Sequence, residues 1–335
     1  MKQVRVHGPA DVRVDEIDEP RPGDRDAVVR IAACGICGTD LKYISLGFSG
    51  PGGSPMPLGH EMAGVVEWVG PEVTDVAVGD RVVVHPGDDD LGRIGNGSAE
   101  GGLAPRLLVR EAARGGRLHP VPPGLDLTVA ALAEPLAVGM RAVEQSEAGP
   151  DTRVVIFGCG PIGLACLATL VDRGNAQVVA VDFSERRRHL ALELGAVTAI
   201  DPGAGDMWDR IASVHGSEPF MLGPTAGTDV FIEASGAAPV IGDILAHARI
   251  GAHLTVVALH TDDIPVSFLM VLMKQLTIRG AMEYPEAGLA PALDLLQRRD
   301  LSSLITHRFD LDRFDDALAL LAGSRDCGKV MITVP

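Results

Sequence analysis

Aromatic side chains are scarce: eight Phe, two Trp and two Tyr make up 4% of 335 residues. The cores must therefore be packed mostly with Val, Leu, Ile and Ala. Lysine is scarcer still, only Lys2, Lys42, Lys274 and Lys329, and no Lys/Arg cluster overturns the formal net charge of −16. Nucleic acid and anionic membrane both require a basic face, so neither is expected as a partner. The five cysteines are an odd set without the spacing of a disulfide framework, which points to a reduced, cytoplasmic protein. No apolar signal segment precedes the first strand pattern. The one apolar run approaching membrane-spanning length, 154–171, is interrupted by Gly158, Gly160, Pro161 and Gly163 and reads as a buried strand, turn and helix. What is present is ample apolar content, 46%, and a length that suggests two domains.

Along the first third, β-formers cluster between Gly, Pro and Asp breakers at 4–6, 12–14, 27–33, 62–69 and 82–85, with further strands at 107–109 and 117–121. Many short strands without long helices suggest a barrel-like β domain. Thr39 is placed to cap a short helix towards Ser45, and 46–57 reads as a loop. Residues 86–102, with Asp88, Asp89, Asp90 and repeated Gly, read as a surface loop; calcium-loop spacing is missing. Helical patterns at 127–132 and 138–144 are joined by Ala133-Glu134-Pro135. Beyond 154, strand and helix patterns alternate as far as 257, the signature of a doubly wound parallel sheet. The tail shows a strand at 276–280, helices at 289–298 and 314–321, and a last strand at 329–334 that should pack on the first domain.

The apolar strand 154–157 feeds Gly158-Cys159-Gly160-Pro161-Ile162-Gly163 and an amphipathic helix. The glycines serve a tight turn, close approach of a pyrophosphate to bare backbone, and helix-sheet packing, with the phosphates on the helix N-terminus. Asp182, at the end of the second strand, supplies the acid expected for the adenosine ribose and would repel a 2′-phosphate. NAD is therefore expected over NADP, although Arg186, Arg187 and Arg188 follow directly.

The remaining chemistry sits in Cys34-Gly35-Ile36-Cys37-Gly38-Thr39-Asp40 and Gly59-His60-Glu61. The CxxC alone could mean a redox pair or half of a zinc knuckle. Cysteine, histidine and carboxylates that meet at one point suit zinc, and Thr39 would lie beside it. Glu134, in the apolar run 130–138, is a further candidate ligand, because a carboxylate there must be paired or bound to metal.

With Gly-Asp-Arg-Val (79–82), Glu-Pro-Leu-Ala-Val (134–138), Glu-Ala-Ser-Gly (233–236) and Gly-Lys-Val (328–330), these motifs make the chain resemble the zinc-dependent medium-chain alcohol dehydrogenases. Within them it most resembles the polyol (sorbitol-type) and threonine dehydrogenase branch. The resemblance implies an α/β fold: a GroES-like β-barrel catalytic domain at 1–135 and 277–335, split around a Rossmann dinucleotide domain at 136–276. It also implies a homodimer or homotetramer. Position by position it implies zinc ligands at Cys37, His60 and either Glu61 or Glu134, a proton-relay hydroxyl at Thr39 and a supporting carboxylate at Asp40. It implies cofactor contacts at Gly158, Gly160, Pro161, Ile162, Gly163, Asp182, Arg187, Ser235, Val257, Leu259 and Lys329, and a substrate pocket near Tyr43, Phe48, Glu283 and Tyr284.

Three departures qualify it. No cysteine stands between His85 and Gly102, where many relatives hold a structural zinc, so one zinc per subunit is expected. Lys42 replaces a relay histidine, which leaves the outer end of the proton path open. Glu283-Tyr284 replaces the Arg-Tyr of polyol dehydrogenases, and an acid there would suit an amine-bearing substrate or simply face solvent. The expected reaction is NAD-linked interconversion of a secondary alcohol, polyol, sugar-like or amino alcohol, with its ketone. A zinc-free quinone or enone reductase and a non-catalytic NAD-binding protein of the same fold are the alternatives.

Overall fold

The computed structural model describes residues 1–47, 53–87, 92–324 and 326–334. They form two compact units: Met1–Ala137, Pro285–Ser324 and Lys329–Pro335 in the first, Val138–Tyr284 and Arg325–Gly328 in the second.

In the first unit the main sheet runs in the order Ile305–Asp310, Lys329–Thr333, Ala27–Ile36, Glu61–Val69, Arg81–Val84, Leu118–Pro120, with Arg106–Val109 also paired to Ala27–Ile36. A smaller sheet joins Asp11–Glu16, Lys2–Gly8 and Met56–Pro57. Strand Ala27–Ile36 is paired along both edges and buried nearly throughout, as its apolar run requires. Register shifts at Val28/Val29 and Ile31/Ala33 bend it. Its C-terminal end lies between two partners: Gly35 faces Glu61 on one side and Met331 on the other.

The second unit holds a six-stranded parallel sheet, ordered Thr198–Ile200, Val178–Val181, Val154–Phe157, Val230–Glu233, His253–Val256, Thr277–Gly280. Its core sets Phe157 and Phe231 against Trp208, with ring centroids 5.9 and 6.2 Å from the indole. The α/β class and the doubly wound parallel sheet agree with the sequence reading. Strand Thr277–Gly280 belongs to this sheet, so the compact unit runs on to Tyr284 instead of ending at 276. Among the described residues no helix is long and apolar enough to cross a membrane.

Three local expectations are corrected. Cys37, not Thr39, is the N-cap of helix Gly38–Leu46, because Asp40 reaches back to the Cys37 amide. Residues 133–146 form one helix, Ala133–Ser146; Pro135 is tolerated in its first turn, where no intrahelical donor is lost, and Glu134 sits in that turn. Residues 92–102 are not simply a surface loop. Ile94 is buried, Gly102 and Leu103 donate to the carbonyls of Gly59 and Leu58, and a Cβ on Gly95, at φ +70°, would overlap the Gly59 backbone. Glycine is needed there for close approach, and the contact fixes the segment that enters His60. The acidic triplet 88–90 lies outside the described residues.

Candidate metal centre and dinucleotide site

Antiparallel pairing of Ala27–Ile36 with Glu61–Val69 brings the end of one strand against the start of the other. Cys37 lies just past the first and His60 just before the second, so residues over twenty positions apart become neighbours. Cys37 Sγ, a His60 ring nitrogen and a Glu61 carboxylate oxygen all lie within 4.8 Å of one another. Thr39 Oγ1 is 3.7 Å from Cys37 Sγ. Asp40 is fully buried; Oδ2 accepts from the Cys37 amide at 2.8 Å and Oδ1 stands 3.5 Å from His60 Nδ1.

Among the described residues, three buried atoms here have no hydrogen-bond partner: Asp40 Oδ1, His60 Nδ1 and Glu61 Oε2. Each such orphan costs about 1–3 kcal/mol, a burden that a bound cation and a small shift of the imidazole onto Asp40 would remove. Thiolate, imidazole and carboxylate are a zinc donor set, so the residues fit that ion. Burial opposes a charge on His60, yet Asp40 and Cys37 beside it raise its pKa well above the ordinary imidazole value. Cys34, fully buried, lies outside the group of Cys37, His60 and Glu61, and loss of solvation pushes its thiol far up. Glu134 is buried but also outside that group.

Glu61 is held from the far end of the chain. Lys329 Nζ, 2% exposed, lies 2.5 Å from Glu61 Oε1 and 3.2 Å from the Ile36 carbonyl. Burial lowers the Lys329 pKa, but the charges of Glu61, Cys37 and Glu134 outweigh it and raise the net value. A Cβ on Gly35 would overlap the Glu61 carboxylate and crowd the Lys329 stem, so glycine leaves room for the pair. The family resemblance implies only a cofactor contact for Lys329, and the sequence gives Gly35 no part; 268 residues separate Lys329 from its partner, and no local signal joins them.

Lys42 is exposed and Tyr43 half-buried on helix Gly38–Leu46. Phe48 lies outside the described residues. Glu283 and Tyr284 belong to the second unit, where Glu283 is exposed and takes a left-handed backbone at φ +62°.

In the second unit, strand Val154–Phe157 leads into Gly158, at φ +92°, whose missing side chain leaves space for the backbone of Ser235. Gly160 is the N-cap and Pro161 opens helix Pro161–Asp172, in which Ile162 takes the next position and Gly163 packs on the Gly158 carbonyl. Asp182 braces this loop: Oδ2 accepts from Cys159 N at 2.7 Å and Oδ1 from Ser184 N at 2.8 Å. Lone pairs remain on both oxygens for a ribose hydroxyl. Arg187 donates to the Cys327 carbonyl, and Arg188 to the carbonyls of Asp182 and Phe183. Both guanidinium groups are thus tied to main chain. Val257 and Leu259 follow strand His253–Val256, with Leu259 half exposed.

Comparison with known proteins matches residues 23–122 to the family described as "Alcohol dehydrogenase GroES-like domain" and 161–298 to "Zinc-binding dehydrogenase". The chain is 31% identical to (R,R)-butanediol dehydrogenase of Neisseria gonorrhoeae over 93% of each protein. It is 30% identical to sorbitol dehydrogenase of Homo sapiens, covering 92% of this chain and 89% of that protein. Among solved structures, 2R,3R-butanediol dehydrogenase from Bacillus subtilis superposes with a TM-score of 0.87 at 28% identity, covering 99% of each chain.

Proposed function

Because the chain belongs to the zinc-containing medium-chain alcohol dehydrogenase family, and so is an NAD-dependent zinc dehydrogenase, we propose that it oxidises a secondary alcohol of a small polyol to the ketone. The observation that carries this is the convergence of Cys37, His60 and Glu61 around three orphaned buried atoms. When bound, zinc supplies Lewis acidity that eases loss of the alcohol proton, and NAD supplies the hydride acceptor.

The chain's own residues do the rest. Cys37, His60 and Glu61 would hold the metal, and Asp40 orients the segment by clamping the Cys37 amide. Thr39, beside Cys37, receives the substrate proton and passes it outward, where Lys42 stands one helical turn further on. Gly158, Gly160 and the N-terminus of helix Pro161–Asp172 take the pyrophosphate. Asp182 takes the adenosine ribose, and the engagement of Arg187 and Arg188 with carbonyls supports NAD over NADP. A polyol substrate accords with the diol and sorbitol enzymes among the relatives. One zinc per chain, a cytoplasmic location and a homo-oligomer complete the reading. The outer strand Thr277–Gly280, with exposed Ile278 and Met282, offers an edge that is unpaired among the described residues, through which two copies would extend their sheets.

The test is metal analysis together with NAD reduction over a panel of vicinal diols, sugar alcohols and amino alcohols. Stoichiometric zinc and turnover of a polyol are expected. Turnover that survives complete zinc removal would overturn the proposal.

A further inference from the structure

In the parallel sheet the strand order turns between Val154–Phe157 and Val230–Glu233, and ligands of such sheets bind outside the carboxyl ends of the strands at that point. Asp182 ends the strand on one side, the adenosine side in the reading above. On the other side two strands end at Glu233 and Val256, the second followed by the 257–260 segment. The loops that follow them touch: a Cβ on Gly236 would lie 3.7 Å from the Leu259 carbonyl and 3.8 Å from the Ala258 side chain.

Glu233 is fully buried and fully used. Oε1 accepts from Ser235 N at 2.8 Å, Ser235 Oγ at 2.5 Å and Gly236 N at 2.9 Å, while Oε2 meets His260 Nε2 at 2.8 Å. An ionised carboxylate can only accept, so the hydrogen is on Nε2 and the tautomer is set by Glu233. The ring's other nitrogen points away from that bond, and no partner for Nδ1 is present among the described residues. The His260 side chain is only 13% exposed, so the imidazole is held in one orientation at the strand ends. A buried charge is costly unless bonded, and this one is bonded to two adjacent loops. It also fixes Ser235, whose backbone fills the space left by Gly158.

We propose that His260 is a cofactor-contacting residue: Glu233 aims its imidazole so that Nδ1 hydrogen-bonds the nicotinamide-ribose half of the dinucleotide. The inference rests on the NAD reading above. The substitution H260A removes the contact at a partly exposed position. NADH affinity, followed by cofactor fluorescence in the purified enzyme without substrate, should fall about three- to tenfold, the worth of one hydrogen bond. ADP, which has the adenosine and pyrophosphate but not the nicotinamide half, should bind H260A as it binds the parent. Unchanged NADH affinity overturns the inference. Equal losses for NADH and ADP also overturn it, because His260 would then act only by bracing the loops. A parent enzyme that binds no NADH overturns the NAD reading itself, a failure visible before any variant is made.

Discussion

Replacing Lys329 with Met tests the contact that holds Glu61 in the metal centre. The side chains of Lys329 and Glu61 are 2% and 0% exposed, so solvent screens almost none of their interaction. Removing the ammonium leaves Glu61 Oε1 without its partner beside Oε2, which already has none, and frees the Ile36 carbonyl from Nζ. Breaking one side of a buried pair costs about 3–5 kcal/mol. The measurement is urea unfolding of the metal-free protein, read from the single tryptophan of the first unit, Trp68, in a Trp208→Phe background. With a slope of about 2 kcal/mol/M, the midpoint of K329M should drop by roughly 1.5–2.5 M. Zinc should then restore K329M by more than it stabilises the parent, since the cation compensates the stranded carboxylate. A midpoint within about 0.3 M of the parent, on the same slope, would refute a buried Lys329–Glu61 pair.

Cys37→Ser should abolish stoichiometric zinc and turnover while NADH still binds; zinc content equal to the parent's would remove Cys37 from the ligand set. Asp182→Ala should narrow the preference for NAD over NADP, measured as the ratio of kcat/KM values, and an unchanged ratio would remove Asp182 from that choice. Burial alone would raise the Asp229 pKa, but Arg153 and Arg249 hold the carboxyl at about 2. This depressed folded value means its stabilisation is present above the unfolded carboxylate range and is lost as pH falls from about 4 to 2. Asp229→Asn should therefore lower the melting temperature at pH 7 and flatten its acid decline; parallel curves for the two proteins would contradict the assignment.

Local regularities carried much of the architecture. The run 154–157, the glycines after it and the strand-helix alternation are short-range patterns, and the structure keeps them as the parallel sheet, its turn and helix Pro161–Asp172. Short strands between Gly and Pro breakers likewise became the sheets of the first unit. Helix ends are less legible: residue type favours Thr39 as the cap, but Cys37 acts as N-cap because the Asp40 carboxylate reaches its amide. Glycines 95 and 102 look like loop residues in sequence but pack on the Gly59 backbone. Close approach is not encoded in the residues on either side.

Residue types alone nominated cysteine, histidine and two carboxylates, Glu61 and Glu134, for one metal. Strand register separates the two acids: Glu61 lies opposite Gly35 and joins Cys37 and His60, while Glu134 stays outside that group. The partners that steady these sites are equally silent in the sequence. Lys329 reaches Glu61 across 268 residues, and His260 reaches Glu233 across 27, through pairings of strands that no periodicity announces. Hydrophobic patterning dictates which face of an element is buried, and so the fold. Which charged group meets which depends on register and distance, and these exist only once the chain has closed on itself.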